Sequence, residues 1–420
     1  MFGRTRKGAV ASAVHLEHVK SMTERAATSI LAGQRARAGA WTFGILFLLE
    51  SLTRAFNSGV LSIQAYDILG ASQRVSVLGT FVSASVLLVT LFLPVLFGKL
   101  RRRWAYSLGC LLMIAGSVAL ASFTLEGQIA GTMMRNIGAS ITNVTLQLYI
   151  LDHIRKSDLT RTEPMRLALS TIAWVVGPYS GVWLYQNLGP VAPQLAAIAS
   201  ALTLLATFWY LRLHDAKTLP PGNLQPFNPL ANVARFARQP RLRLAWSIAF
   251  ARSCFWATFF TYGPLLMIEG GLGKQFGGAM ISLSQLFLLS AFFYGPLSRR
   301  VGVRGVIALC FGLISIATLA AGLSGVTLPL LAAGLLLFAA LAASGIDSIG
   351  GIPFLRAVRF HERQRMTAVY RTFIEFSDLI PSIIYAIALR HFDVSVVFIL
   401  LGSGISVMSI LAWRHLPKTM

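Results

Sequence analysis

Charged side chains lie inside stretches of the sequence that are otherwise apolar. Glu50 and Arg54 lie four residues apart within the apolar run 40–62. On a helix this spacing places two side chains side by side, so the acid can pair with the base. A charge at mid-bilayer costs at least about 2.5 kcal/mol on insertion scales and usually faces a wet interior. The pair indicates either proton uptake and release or a static ion pair that fixes helix packing.

Further ionisable groups lie in other apolar runs. Arg371 and Glu375 repeat the spacing of four, and Asp378 follows one turn later. These three either take part in the chemistry or brace a helix broken at Pro381. The remaining intramembrane charges are Arg135, Arg252 and Asp347. We expect Asp347, which is nearer a membrane surface, to pair with basic residues of the loop that follows it.

The composition explains why these charges need a membrane interpretation. The chain has 420 residues, of which 55% are hydrophobic and 12% charged, and its mean hydropathy is +0.67. Such a chain cannot cover a water-facing surface with polar side chains, so it is an integral membrane protein. All three cysteines fall in separate apolar runs, so we expect no disulfide.

Twelve apolar runs have about the 20 residues that a membrane-crossing helix needs. We therefore predict an all-α membrane protein with twelve transmembrane helices and a longer polar linker after the sixth. The runs lie near 40–62, 75–97, 104–122, 128–150, 167–185, 194–211, 244–268, 277–297, 305–323, 327–353, 367–389 and 394–413.

The distribution of Lys and Arg predicts the orientation. With the N-terminus inside, the cytoplasmic segments hold 30 of the 37 basic residues, so both termini are predicted to be cytoplasmic. The net charge of +22 is spread over short segments next to the membrane. This pattern favours contact with anionic lipid and argues against a nucleic-acid partner. We predict a multi-pass protein of the plasma membrane, of the bacterial inner-membrane type.

The chain divides into four parts, and two of them repeat each other. A shift of 201 residues carries PVLFGKLRRR (94–103) onto GPLSRRVGVR (295–304). We predict a basic tail, two six-helix halves in parallel arrangement and a linker between the halves. The boundaries are 1–39 for the tail, 40–211 for the first half, 212–243 for the linker and 244–420 for the second half.

The repeated turn resembles the loop signature of the major facilitator superfamily, G-x-L-x-D-R-x-G-R-R. The residues that match are Gly295, Leu297, Arg300, Gly302 and Arg304, while Arg299 replaces the Asp. In the first half the match is weaker, and Gly98 replaces the corresponding acid. This resemblance covers the chain from about residue 40 to its end. It implies the fold of that superfamily and a substrate site near mid-membrane between the halves.

Two more motifs support the resemblance. Arg135, in MMRNIGASITN, is similar to the family's span-four arginine, which is associated with proton coupling. VVGPYSGVWL, with Gly177, Pro178 and Gly181, resembles the G-P-x-x-G signature of the family's antiporters. A proline removes one helix hydrogen bond and glycines allow close approach, so this segment either forms a pivot or serves packing alone.

These observations give a set of candidate functional residues. For the polar members the alternative is a hydrogen bond between helices. Proton coupling is assigned to Glu50, Arg135, Glu375 and Asp378. Substrate binding is assigned to Arg54, Asn143, Arg252 and Tyr262. Conformational roles are assigned to Gly177, Pro178, Gly181, Gly295, Arg300, Gly302 and Arg304.

The resemblance and the buried charges together predict a monomeric secondary active transporter that exports a small organic molecule in exchange for protons. One alternative is an importer of a small organic anion, which the arginines would bind. Another is a membrane scaffold or sensor that kept the fold without transporting. No catalytic or nucleotide-binding motif is present, so we predict no enzymatic activity and no cofactor.

Overall fold

The computed structural model describes four stretches of the chain, residues 43–153, 159–210, 229–359 and 362–417. The predicted tail 1–39 and much of the predicted linker 212–243 lie outside these described residues. The described residues are predominantly helical and contain no β-strand, which confirms the predicted all-α class.

Seventeen α-helices occur in the described residues, and a 3-10 turn, Phe287–Ser290, joins two of them. The helices are α1 (residues 43–58), α2 Val60–Leu69, α3 Ser72–Lys99, α4 Arg102–Ala121, α5 Leu125–His153, α6 Leu159–Leu188, α7 Val191–Tyr210, α8 Pro229–Ala237, α9 Pro240–Glu269, α10 Lys274–Leu286, α11 Ala291–Val301, α12 Val303–Ser324, α13 Pro329–Ile349, α14 Ile352–Ala357, α15 Arg363–Tyr370, α16 Phe373–Ala388 and α17 Ser395–His415.

Each of the twelve predicted runs coincides with one helix or with a broken pair of helices. By length and apolarity, six helical stretches in the described residues can cross a membrane, and the bent pair α10 and α11 would add a seventh. Large apolar side chains such as Phe293, Ile316 and Leu323 are exposed on the surface of the bundle, as hydrocarbon solvent permits. The protein is therefore a multi-pass membrane protein. Twelve crossings and the side on which the termini lie stay predictions.

The structure breaks one helix at a different place from the one we considered. We named Pro381 as a possible break, but α16 continues through that residue. The interruption instead lies at residues 371–372, between α15 and α16. Membrane helices tolerate an internal proline because neighbouring groups satisfy the freed carbonyl.

Close helix packing in the first half depends on residues without a side chain. α4 lies against α5, and a Cβ added at Gly116 would be 2.8 Å from the carbonyl oxygen of Gly131. A Cβ at Gly138 would likewise be 2.7 Å from the carbonyl oxygen of Gly109. Small residues allow helices to approach in lipid, where no hydrophobic force drives them together. The same holds for α12 and α17, where a Cβ at Gly402 would be 2.7 Å from Leu319 Cγ.

We refer to α1–α7 as the N-terminal set and to α9–α17 as the C-terminal set. The two sets meet where α3 packs on α16 and where α6 packs on α10. α2 also contacts α9. We call the end of the bundle that holds the α2–α3 and α9–α10 turns the predicted external end, following the orientation expected from the sequence.

Candidate functional site

A cavity of about 220 Å³ lies between the two helix sets. It is lined from the N-terminal set by residues of α1, α2, α3 and α5 and from the C-terminal set by residues of α9 and α16. Apolar walls include Leu61, Val75 and Leu78, and the aromatic rings include Phe260 and Tyr262. This volume is more than several water molecules need, so a small organic molecule fits.

Asp378 is the carboxylate of this cavity. Its side chain is accessible within it, and the described lining contains no other acid and no Lys, Arg or His. Within the part of the chain that the structure describes, no basic side chain forms an ion pair with Asp378. Its titratable neighbours are Glu375, three residues earlier on α16, and Cys254 and Tyr262 on α9. Of the predicted site residues, Asp378 and Tyr262 line this cavity.

Tyr262 joins the helix sets by a hydrogen bond. Its hydroxyl lies 2.6 Å from Ser76 Oγ on α3, and its ring packs edge-on against Tyr385 with a centroid distance of 5.1 Å. Tyr385 in turn lies 3.1 Å from Thr258 Oγ1 through its hydroxyl. This hydroxyl network forms one wall of the cavity.

The predicted pair of Glu50 and Arg54 is present on α1. Arg54 Nη1 lies 3.4 Å from Glu50 Oε1, the carboxylate is fully buried, and the guanidinium is partly exposed. Arg54 also lies over the ring of Trp174 on α6, 5.7 Å from its centroid. Both residues lie outside the lining of the cavity described above, so the pair is a separate buried ionic centre in the N-terminal set.

Arg135 ties three helices of the N-terminal set together. Its Nη1 donates to Ser117 Oγ on α4 at 2.8 Å, and its Nη2 donates to the Thr53 carbonyl on α1 at 3.1 Å. The side chain is buried and lies outside the lining of the cavity. The structure therefore brings Arg135 close to the α1 segment that carries Glu50 and Arg54, through the backbone of Thr53.

Arg252 forms the corresponding ionic centre of the C-terminal set. Its Nη1 lies 2.6 Å from Asp347 Oδ1, and the other oxygen of Asp347 accepts a hydrogen bond from Trp256 Nε1 at 2.9 Å. Arg252 also lies over the ring of Phe373, 5.6 Å from its centroid. Our expectation that Asp347 pairs with the following loop is thus wrong, because its carboxylate turns toward α9.

The other predicted binding and coupling residues are dispersed. Asn143 lies on α5 and Glu375 on α16, each partly exposed, and both lie outside the cavity lining.

The segment with Gly177, Pro178 and Gly181 lies at a crossing of three helices. A Cβ added at Gly181 would be 1.9 Å from the carbonyl oxygen of Phe56 on α1, and a Cβ at Gly177 would be 2.4 Å from Ala55 Cβ. On its other side α6 faces α10, where the Tyr179 amide donates to Ser282 Oγ at 2.9 Å. α6 is therefore in close contact with both helix sets at this segment.

The turn that resembles the loop signature joins α11 to α12. Gly302 has φ +83° and closes α11, a conformation that side chains with a Cβ rarely adopt. Arg304 lies over the ring of Trp413 on α17, 4.7 Å from its centroid. Arg300 is exposed, and Gly295 has open space where a Cβ would lie.

Polar contacts gather at the predicted external end, and two of them join the helix sets. Lys274 Nζ on α10 and the Tyr185 hydroxyl on α6 both lie 2.6 Å from Asp67 Oδ2 on α2. Nearby, the Ser72 hydroxyl donates to the carboxylate of Glu269. We call these five residues the external latch. It holds the two sets together on that side of the cavity.

The latch was not anticipated from the sequence, and neither was the cavity residue Gln128. Both were hidden because they depend on contacts between distant parts of the chain: Asp67 and Lys274 are separated by 207 positions. The sequence offered one signal for the latch: Asp67 and Lys274 are charged residues that lie next to predicted external turns.

The comparisons with known proteins agree with this architecture. The sequence model described as Major Facilitator Superfamily matches residues 43–290. A search of curated proteins found no match.

Several solved transporters have a similar fold. A POT family transporter in complex with 5-aminolevulinic acid superposes with a TM-score of 0.71 at 12% identity, covering 89% of this chain and 95% of that one. The nucleoside transporter NupG superposes with a TM-score of 0.71 at 14% identity, covering 89% of this chain and 98% of that one. The peptide transporter POT in complex with sulfate superposes with a TM-score of 0.69 at 14% identity, covering 89% of this chain and 93% of that one.

The family match covers more than half of the chain, and the fold of these transporters extends over most of it. Proteins of this kind are transporters and not enzymes. This chain belongs to the major facilitator superfamily.

Proposed function

We propose that this protein exports a small organic molecule in exchange for protons, by alternating access to the cavity between the two helix sets. The observation that carries the proposal is the cavity itself, which both sets line and which contains one carboxylate, Asp378. An exchanger needs a site that either set can expose and a group that can hold a proton there. In this proposal the cavity is that site and Asp378 is that group.

The contacts between the sets support one state of the proposed cycle. The external latch joins α2 to α10 and α3 to α9, and Ser76 bonds to Tyr262 next to the cavity. We assign this arrangement to the state that is closed on the external side. In the proposed cycle the latch breaks when the sets rock, and α6 pivots where Gly177 and Gly181 contact α1.

Two carboxylates are proposed to carry protons. Asp378 lies in the cavity, and Glu50 lies beside Arg54 in the N-terminal set. The proton affinity of a carboxylate changes when a neighbouring charge moves. Rocking of the sets would alter those neighbours and so link protonation to access.

Import of an organic anion is the less favoured transport function. It would require Arg54, Arg135 or Arg252 to bind the anion directly. Arg54 and Arg252 already pair with Glu50 and Asp347, and Arg135 donates to Ser117 and Thr53. A non-transporting scaffold would need neither the cavity nor its carboxylate.

The proposed topology, oligomeric state and location are those expected from the sequence. We propose twelve membrane crossings, cytoplasmic termini, two six-helix halves and a monomer in a bacterial inner membrane. The basic segments on the cytoplasmic side would contact anionic lipid.

Glu50→Gln is expected to uncouple transport from the proton gradient. The purified protein is reconstituted into proteoliposomes, and the substrate is the compound that stabilises it most in a thermal-shift screen of cations, neutral molecules and anions. We expect gradient-driven flux to fall about tenfold in Glu50→Gln and in Asp378→Asn, because a neutral amide cannot exchange a proton.

Glu126→Gln is the matched control, because Glu126 is an exposed acid in the first turn of α5. It should keep wild-type flux. Wild-type flux in both Glu50→Gln and Asp378→Asn would reject the proposed carriers. Flux that persists when an ionophore collapses the proton gradient would reject coupling altogether.

A further inference from the structure

We propose that the cavity selects a small organic ammonium ion and that Asp378 and Gln128 recognise it. The ammonium ion would be the substrate class of the site described under the proposed function. The inference rests on that function only where it says that the site takes part in transport. It follows from counting which hydrogen-bond donors and acceptors the lining still offers.

Gln128 presents an acceptor that no described residue uses. Its Nε2 donates one proton to the Leu61 carbonyl at 3.1 Å, which orients the amide and leaves Oε1 as an acceptor. That oxygen is buried, has no hydrogen-bond partner and belongs to a residue that lines the cavity. Leaving a buried acceptor unmatched is costly, so a ligand donor that reaches this oxygen would be favoured.

Four hydroxyl groups of the lining are available as acceptors as well. A serine or threonine hydroxyl has one proton to donate. Ser58, Ser62, Thr132 and Ser382 each donate that proton to a backbone carbonyl on their own helix. What these hydroxyls can offer a ligand is therefore a lone pair. Asn136, Ser83 and Thr261 are described lining residues that retain protons to donate.

The charge of the lining favours the same ligand. Asp378 is its carboxylate, and the described lining contains no Lys, Arg or His. A carboxylate in such a place favours a cation over a neutral molecule or an anion. The rings of Phe260, Tyr262 and Tyr385 add faces that attract an ammonium group.

The size and the walls favour an organic cation over a bare metal ion. The volume of about 220 Å³ exceeds what one ion needs. Leu61, Val75 and Leu78 add apolar side chains to the lining. A molecule with an ammonium group and an apolar body satisfies both surfaces.

Three compounds of similar size and different charge test this inference: phenethylamine, 2-phenylethanol and phenylacetate. Their affinities for the purified full-length protein are measured by isothermal titration calorimetry. We expect phenethylamine to bind about tenfold tighter than the other two, the gain expected of a charge-assisted hydrogen bond. Asp378→Asn should remove this preference, and Asp378→Glu should keep it.

Variants must keep the elution profile and thermal midpoint of the wild type to be compared. Gln128→Leu should weaken phenethylamine binding without favouring phenylacetate. The inference is overturned if phenylacetate binds as tightly as the amine, if Asp378→Asn binds the amine like the wild type, or if none of the three compounds binds at millimolar concentration.

Binding needs no proton gradient, so this experiment fails independently of the proposed exchange. Amine binding through Asp378 without gradient-driven flux would reject the exchange and keep the ligand class. Gradient-driven flux of an anion would reject the ligand class and keep the coupling.

Discussion

A disulfide between cysteines placed at Gly79 and Ser382 is expected to stop transport. The two positions lie on α3 and α16, which belong to different helix sets and both line the cavity. A Cβ built on Gly79 would be 3.9 Å from Ser382 Cβ, within the separation that a disulfide requires. Flux should fall about tenfold or more after oxidation, because the sets must rock apart for the cavity to open externally.

This experiment uses a background in which Cys110, Cys254 and Cys310 are replaced by alanine. Flux should return when the bond is reduced, and each single cysteine variant should transport before and after oxidation. Full transport by the oxidised double variant, with the cross-link verified by mass spectrometry, would show that α3 and α16 do not separate.

Gly181→Ala is expected to produce the largest loss of stability among the glycine substitutions discussed. The added Cβ would lie 1.9 Å from the Phe56 carbonyl oxygen, and that atom belongs to a helix backbone that cannot turn aside. α1 and α6 must therefore move apart. Overpacking costs about 1–3 kcal/mol and sometimes more, and we expect a cost at the upper end of this range.

Gly404→Ala on α17 is the matched control, because a Cβ there meets no heavy atom within 4 Å. Thermal midpoints of both variants in the same detergent provide the comparison. We expect Gly404→Ala to melt like the wild type and Gly181→Ala to melt well below it. Equal midpoints would mean that α6 does not pack on α1 as described.

The helices could be predicted because apolar runs of membrane length can be recognised along the sequence without knowledge of tertiary contacts. The pair of Glu50 and Arg54 could be predicted for the same reason, since four residues on one helix determine its geometry. The break at residues 371–372 could not, because it follows no proline or glycine in the sequence.

The candidate site was predicted less well than the helices, because its contacts join distant positions. Arg252 and Asp347 are 95 residues apart, and periodicity within one helix does not reveal which helix lies opposite. Gln128 gave no signal for the same reason: its exceptional feature is an oxygen without a partner, which only the packed helices define. Asp378 was named from its depth in a predicted span, and the structure adds its place in the cavity.

Protonation of Glu50 and Asp378 is proposed to change which side of the bundle is open. Spin labels at Asn187 and Arg390 report the predicted external end, and labels at Arg101 and Arg299 report the opposite end; all four positions are exposed. Double electron–electron resonance is recorded at neutral and mildly acidic pH on the reconstituted protein. We expect the two distances to change in opposite directions, and we expect Glu50→Gln with Asp378→Asn to remove the response. Distances that do not change with pH at either end would contradict this proposal.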